Sequence, residues 1–357
     1  MEPAAKRTQS YADDGDGVGE RASPVPVVPT EPPESCVFTV DPSCDGLSSA
    51  ALAHYQRYGF VVLRQLIGGD EADEVREEMH RIINEWYDRF EETGVEQEDW
   101  KSMVNREDRA RNGELKINSK ADRYLSVRRL FRMAVHDTYF HDIACQRQRM
   151  QSISSQLLGE DVKLLQSMAL LKPPGAAEKR WHQDNGYFRL TPNHVMAMWI
   201  AIDEATVENG CMHVVPATHT HGVDEHKSLN GNHKLYSLTK TPDEKTVVPM
   251  PLKPGDALVF HGELHHFTPP NKSSSPRYAL QLHYASGKCK PTVCPKPDKH
   301  DITASSEESQ AQAGPDETHT KGSAAAFDCD PCVEPQFWYY RKAERHVIGR
   351  DYGDPHI

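Results

Sequence analysis

The sequence predicts an α+β protein with a mainly β core, in which helices pack outside an all-β sandwich or barrel. Three observations predict it. Up to about residue 160, apolar residues recur at three- and four-residue steps. From Val162 onward the apolar runs are short: "VKLLQSMALLK", "VMAMWIAI", "CMHVVP", "ALVFHG" and "YALQLHY". Pro-Pro, Asn-Gly and Pro-Gly pairs punctuate those runs. Helices first and many short strands afterwards is the order of a sheet core with helices laid on it.

Residues 1–48 are rich in Pro, Glu, Asp, Gly and Ser and read as a disordered leader, too poor in large apolar groups to offset the entropy of ordering. The folded domain is expected over 49–285, helical over 49–160 and β over 161–285. In "LSSAALAHYQRYGFVVLRQLI" a helical pattern ends at Gly59 and a β-favouring run covers 60–63. After Asp70, the residues Ala72, Val75, Met79, Ile82, Ile83, Trp86 and Phe90 mark the clearest helix, charged on its other face. The charged stretch 92–112 reads as loop. A further helix, turning Phe140, Ile143, Ile153 and Leu157 inward, precedes Gly159. Asn209-Gly210 reads as a hairpin turn, since both residues tolerate positive φ. Residues 286–334 are polar and aperiodic, a flexible insertion, and the aromatic "QFWYYRK" within 335–357 is expected to dock back on the domain.

The chain of 357 residues, 37% of them apolar, can bury a substantial core. No run reaches the roughly eighteen apolar residues of a membrane span, and "MEPAAKRTQSYADDGDG" lacks a signal peptide's apolar core. The terminal "GDPHI" is not a Ser-Lys-Leu tripeptide. A cytoplasmic location and no membrane partner are therefore expected. A formal net charge of −12 opposes long polyanions, so no nucleic acid is expected as partner, while small charged metabolites stay open. The sequence carries no signal for an oligomeric state. The eight cysteines read as reduced thiols. Cys289, Cys294, Cys329 and Cys332 flank the insertion in a crude match to paired zinc spacing, but the first gap is untypical and unpaired thiols are the expected state.

The chemistry concentrates in "KRWHQDNGYF". In an extended segment His182 and Asp184 face one side, because strand side chains alternate with a period of two. The downstream run "PGDALVFHGELHHFTPPNKSSSPRYALQLHY" supplies His261, His265 and His266 as third ligands, and Arg277 on the next strand. Two His and one carboxylate leaving open positions form the facial triad of non-haem Fe(II) oxygenases. An arginine nearby can grip a carboxylate through its planar fork. H-x-D also occurs by chance in a chain with 19 histidines, so the ordered set carries the reading.

In "LLKPPG", "WHQD", "WIAIDEATVENGCMHVVPATHTHG" and "PGDALVFHGELHHFTPPN" followed by Arg277, the chain resembles the phytanoyl-CoA dioxygenase family of Fe(II)/2-oxoglutarate oxygenases, from about Leu47 to Tyr284. The resemblance implies a double-stranded β-helix (jelly roll, cupin-like) with N-terminal helices outside. It implies Fe(II), 2-oxoglutarate and O₂ as cofactor and cosubstrates, and His182, Asp184 and His266 as iron ligands. His266 is preferred over His265 because Thr268, Asn271 and Arg277 then fall at the family's offsets, and His265 would point away. Arg277 would pair with the distal carboxylate of 2-oxoglutarate and Thr268 would add a hydroxyl. Lys116, Met168 and Trp199 would be further cosubstrate neighbours, while Gln183, between the ligands, points oppositely in an ideal strand and would reach the site if the strand bends. Pro269-Pro270 and Ala217 depart from the family pattern. Asn185, Tyr187 and Arg189 would continue the strand on the substrate side. The loop 219–245, with Lys227 and Lys234, reads as a lid or an exposed polar loop. The retained Asp184 favours hydroxylation or desaturation of a small molecule over halogenation. A non-catalytic binding protein and an oxygenase acting on a protein side chain are the alternatives.

Overall fold

The structure is a computed structural model, and it describes residues 29–41, 43–93, 103–188, 190–229, 232–291 and 345–348. Two mainly antiparallel sheets form its core. The major sheet, in spatial order, holds β1 (Val37–Thr39), β2 (Phe60–Arg64), β13 (Ala257–His261), β8 (Val195–Ala201), β15 (Arg277–Ser286), β5 (Val162–Lys172), β4 (Val127–Phe131) and β3 (Val104–Arg106), with β17 (Arg345–Ile348) also on β5. The minor sheet runs β12 (Val248–Met250), β9 (Met212–Val215), β14 (His265–Thr268), β6 (Lys179–His182). Two short ribbons, β7 (Leu190–Thr191) with β16 (Lys290–Pro291) and β10 (His226–Leu229) with β11 (Asn232–Leu238), sit beside them. This is the expected mixed fold with a double-stranded β-helix core.

Side-chain alternation divides the major sheet into two apolar faces. Phe60, Val62, Ala197, Trp199, Leu258 and Phe260 point inward and meet Met212, Val214, Met250 and Leu264 of the minor-sheet side. Val61, Leu63, Met198, Ile200, Val259 and Leu280 point outward and are covered by helices. The central strands are therefore buried on both sides and read as unbroken apolar runs.

Helix α1 (Ser49–Tyr58) begins where the Ser48 hydroxyl accepts from Ala51 N–H and stops at Gly59, whose φ of 83° few other residues adopt cheaply. Helix α2 (Gly69–Thr93) starts with Asp70 and Glu71, favourable at the positive end of the helix dipole, and buries the expected stripe from Ala72 to Trp86. Phe90 departs from expectation. It is 40% exposed and stacks on Trp86 at 5.9 Å, one turn beyond the last covered position.

Other expectations are corrected. The leader's ordered end comes earlier than 48, because β1 pairs in parallel with β2 and Cys36 is buried, with Glu31 bridging Arg64 and Lys253. A three-residue strand is too short to show a period. Order likewise runs past 285 to β16, with Cys289 buried and donating to Pro192 O. The single helix expected before Gly159 is broken into Met133–His136, Thr138–His141, a π turn Asp142–Gln146 and the helix Gln148–Leu158. Asp137 caps a restart by accepting from Tyr139 and Phe140 N–H, and extended Arg147 interrupts the path. Part of the expected loop 92–112 is β3 and the short helix Asp108–Arg111. Asn209-Gly210 does not close a hairpin: β8 and β9 lie in different sheets, and only Gly210 has positive φ. Cys294, Cys329, Cys332 and Arg189 lie outside the described residues.

Candidate active site

The pairing of β6 with β14 sets His182 opposite His266 across two neighbouring strands of the minor sheet. The strand ends at His182, and Asp184 opens a one-turn helix, Asn185–Phe188, by accepting from the N–H groups of Tyr187 and Phe188. Asn185 and Tyr187 thus do not continue a strand. The turn brings Asp184 back toward the histidines. Asp184 Oδ1 lies 3.6 Å from Nε2 of His182 and 3.6 Å from Nε2 of His266. All three residues are buried, with one potential ligand atom each within 4.8 Å of the others.

Both rings are locked in the useful tautomer. His182 Nδ1–H donates to Arg180 O at 2.7 Å and His266 Nδ1–H to Leu264 O at 2.9 Å, leaving each Nε2 lone pair facing Asp184. Burial pushes both histidines below their usual pKa, so they are neutral at physiological pH. Burial works against the Asp184 charge, yet its surroundings, the His283 hydrogen bond among them, hold its carboxyl well below the usual range. Two neutral nitrogens and one carboxylate clustered together suit ferrous iron.

His283 was not foreseen. Its Nε2–H donates to Asp184 Oδ2 at 3.0 Å, holding one oxygen while the other faces the histidines. Gln281 lies 2.9 Å from the same nitrogen. Arg277, Gln281 and His283 share one face of β15 by period-two alternation, so one strand serves both ends of the site. Its register places Lys172 opposite Arg277, with Met168 and Trp199 opposite Gln281 on either side.

Arg277 is 3% exposed and its guanidinium lies 4.9 Å over the Trp199 ring. Among the described residues its Nε and Nη1, and Trp199 Nε1, have no hydrogen-bond partner. Buried unpaired donors of this kind are costly and fit an absent anion. Burial and the Arg128 charge push Arg277 down to about 9, which leaves it charged. Lys172, also unforeseen, is fully buried and donates to Thr268 Oγ1 at 3.1 Å. Two planar-fork donors, an ammonium and a hydroxyl form a cradle suited to a carboxylate end of 2-oxoglutarate.

The remaining expectations divide. Met168 and Trp199 lie beside the cradle, and Asn271 ties its rim by donating to Lys172 O and Ser275 O. Lys116 is exposed on the connection before Lys120–Leu125, and the buried lysine near Arg277 is Lys172 instead. Gln183 faces the neighbouring loops: its amide donates to Gly222 O and Glu263 O and accepts from Asp224 N–H. His265 points outward to Asp224 at 2.8 Å. His261 accepts from Glu263 N–H, outside the triad. The stretch 219–245 holds the β10–β11 hairpin rather than a plain loop, and Lys227 on it is exposed. Among the described residues no helix is long and apolar enough to cross a membrane.

Known proteins resemble this chain in sequence and in fold. The zebrafish (Danio rerio) phytanoyl-CoA dioxygenase domain-containing protein 1 is 26% identical over 273 residues, covering 67% of this chain and 90% of its own. The methylphosphonate hydroxylase of Gimesia maris is 34% identical over 137 residues, 38% of this chain and 50% of its own. Among solved structures, EvdO2 from Micromonospora carbonacea superposes with a TM-score of 0.52 at 23% identity, covering 70% of this chain and 95% of that one. EctD from S. alaskensis, solved with 2-oxoglutarate and 5-hydroxyectoine, gives 0.52 at 18%, covering 76% and 89%. The phytanoyl-CoA dioxygenase family pattern matches residues 55–279. The chain belongs to the phytanoyl-CoA dioxygenase family, oxidoreductases whose iron and 2-oxoglutarate the donor set and cradle fit.

Proposed function

We propose that the protein is an Fe(II)- and 2-oxoglutarate-dependent dioxygenase that hydroxylates or desaturates a small organic molecule, converting 2-oxoglutarate and O₂ to succinate and CO₂. The observation that carries this is the buried His182–Asp184–His266 triad standing beside a buried, unpaired Arg277. Iron supplies the activation of O₂ when bound. His182 and His266 would each present an Nε2 lone pair, and Asp184 its Oδ1 and the negative charge. His283 keeps Asp184 from rotating. Arg277, Lys172 and Thr268 would bind the distal carboxylate of 2-oxoglutarate, with Met168 and Trp199 walling it from water. The relatives named for phytanoyl-CoA and methylphosphonate agree with a small-molecule substrate. A mouse relative is named as peroxisomal, so the cytoplasmic location belongs to the proposal and is tested by fractionation.

The test is succinate release from 2-oxoglutarate in air with added Fe(II). Asp184→Ala is expected to abolish it. Arg277→Ala should raise the KM for 2-oxoglutarate on the order of a hundredfold, from about 3 kcal/mol of lost charge-assisted hydrogen bonding. Undiminished succinate from Asp184→Ala would contradict the assignment.

A further inference from the structure

The cradle leaves a second group of cations unused. Lys179 stands on β6 three residues before His182, and its backbone pairs with Thr268 of β14. Its ammonium donates to the Tyr187 hydroxyl and lies 4.4 Å from the centre of the Tyr187 ring. That ring packs edge-on against His182 at 5.5 Å. Lys179 and Tyr187 therefore form a wall beside the iron ligands. Arg129 comes from β4, paired with Leu170, and is the charge that acts most strongly on Lys179. Arg129 and Lys179 are both half-buried. Among the described residues no carboxylate pairs with Arg129, and Lys179 bonds only to Tyr187.

Charge around the site is out of balance. Arg128 and Arg129 act on both Lys172 and Lys179, and Arg128 also on Arg277, with Glu178 opposing them at Lys172 and Asp203 at Arg277. Asp184 is the acid that acts on Lys179, and it is already engaged by three imidazoles. A dianionic 2-oxoglutarate would offset the cradle cations at one end and the metal's charge at the other. Lys179 and Arg129 would remain without a counter-charge. Packing cations together at a half-buried wall is unfavourable unless an anion joins them.

We infer that the substrate carries an anionic group, a carboxylate, phosphonate or phosphate, which Lys179 and Arg129 bind beside the iron ligands. The Tyr187 hydroxyl holds Lys179 in place. The reacting carbon would lie within a few bonds of the charged group, because the wall adjoins His182. Burial pushes Lys179 down to about 7, which an arriving anion would reverse. The inference rests on the dioxygenase reading, and the test separates the two.

The anaerobic protein with Fe(II) and 2-oxoglutarate is followed by its visible charge-transfer absorption, which reports on the dioxygenase reading before any probe is added. Methylphosphonate and hexanoate are then titrated as anionic probes, with hexanamide as the neutral control. At millimolar concentration at least one anion should perturb the band and hexanamide should not; which one does separates phosphonate from carboxylate recognition. Lys179→Met and Arg129→Met should each weaken that anion by about tenfold or more, with 2-oxoglutarate affinity within about twofold of wild type, and Lys179→Arg should retain binding. The inference is overturned if the band forms and no anion perturbs it, if hexanamide acts equally, or if the Met variants bind the anion as wild type does. It is also overturned if those variants lose 2-oxoglutarate instead.

Discussion

Lys172 is the residue whose charge depends most on what occupies the site. Burial, then the Arg128 charge, pushes it down to about 6, so in the empty cradle it is mostly neutral at pH 7.5. A carboxylate arriving beside it restores the ammonium, so binding takes up a proton whenever the pH lies above the free-state value. The sign follows: 2-oxoglutarate affinity should fall as pH rises from about 6, and close to one proton should be taken up near pH 7.5. Calorimetry in buffers of differing ionisation enthalpy measures this. Lys172→Met should remove the uptake, and a wild type with none would contradict the role. At this scale the sequence was partly legible. H-x-D could be read from its spacing, and His266 and Arg277 from their places in the family pattern that the chain resembles. Lys172 and His283 could not, because each sits in an apolar run and earns its role from a partner strand. The available signal was a polar residue on the Arg277 face of "RYALQLHY".

The elements differ in how much they owe to local pattern. Helix α2 was legible because seven turns of amphipathic spacing leave little ambiguity, and its buried stripe is what fastens the helical layer to the sheet. Ile83, fully buried, should lose about 2–5 kcal/mol on change to Ala, whereas Phe90→Ala should cost roughly 0.5 kcal/mol or less. Denaturant midpoints of the two variants decide it, and equal losses would show that the stripe is misassigned. Shorter elements resisted reading. β1 and β3 have three residues each, fewer than a period can reveal, and the turn after Asp184 is set by backbone bonds to Asp184 O rather than by any apolar pattern. The break at Arg147 likewise depends on packing.

Across the whole molecule, order along the chain was readable and order in space was not. Helices before strands predicted the layers, but nothing in the letters says that β13 lies between β2 and β8, or that β14 and β6 share the minor sheet. Those pairings bring residues 84 positions apart, His182 and His266, into one cluster. The acidic overall charge of −12 coexists with the cationic interior around Arg277, Lys172 and Lys179, so average charge described the exterior and missed the site. The central claim is that these three ligands hold one iron. Anaerobic titration with Fe(II) in the presence of 2-oxoglutarate tests it most directly. One equivalent of iron should bind to the wild type with the growth of a visible charge-transfer band, and both should vanish in His182→Ala, Asp184→Ala and His266→Ala variants that retain wild-type circular dichroism. Folded variants that still bind one iron and show the band would contradict the account.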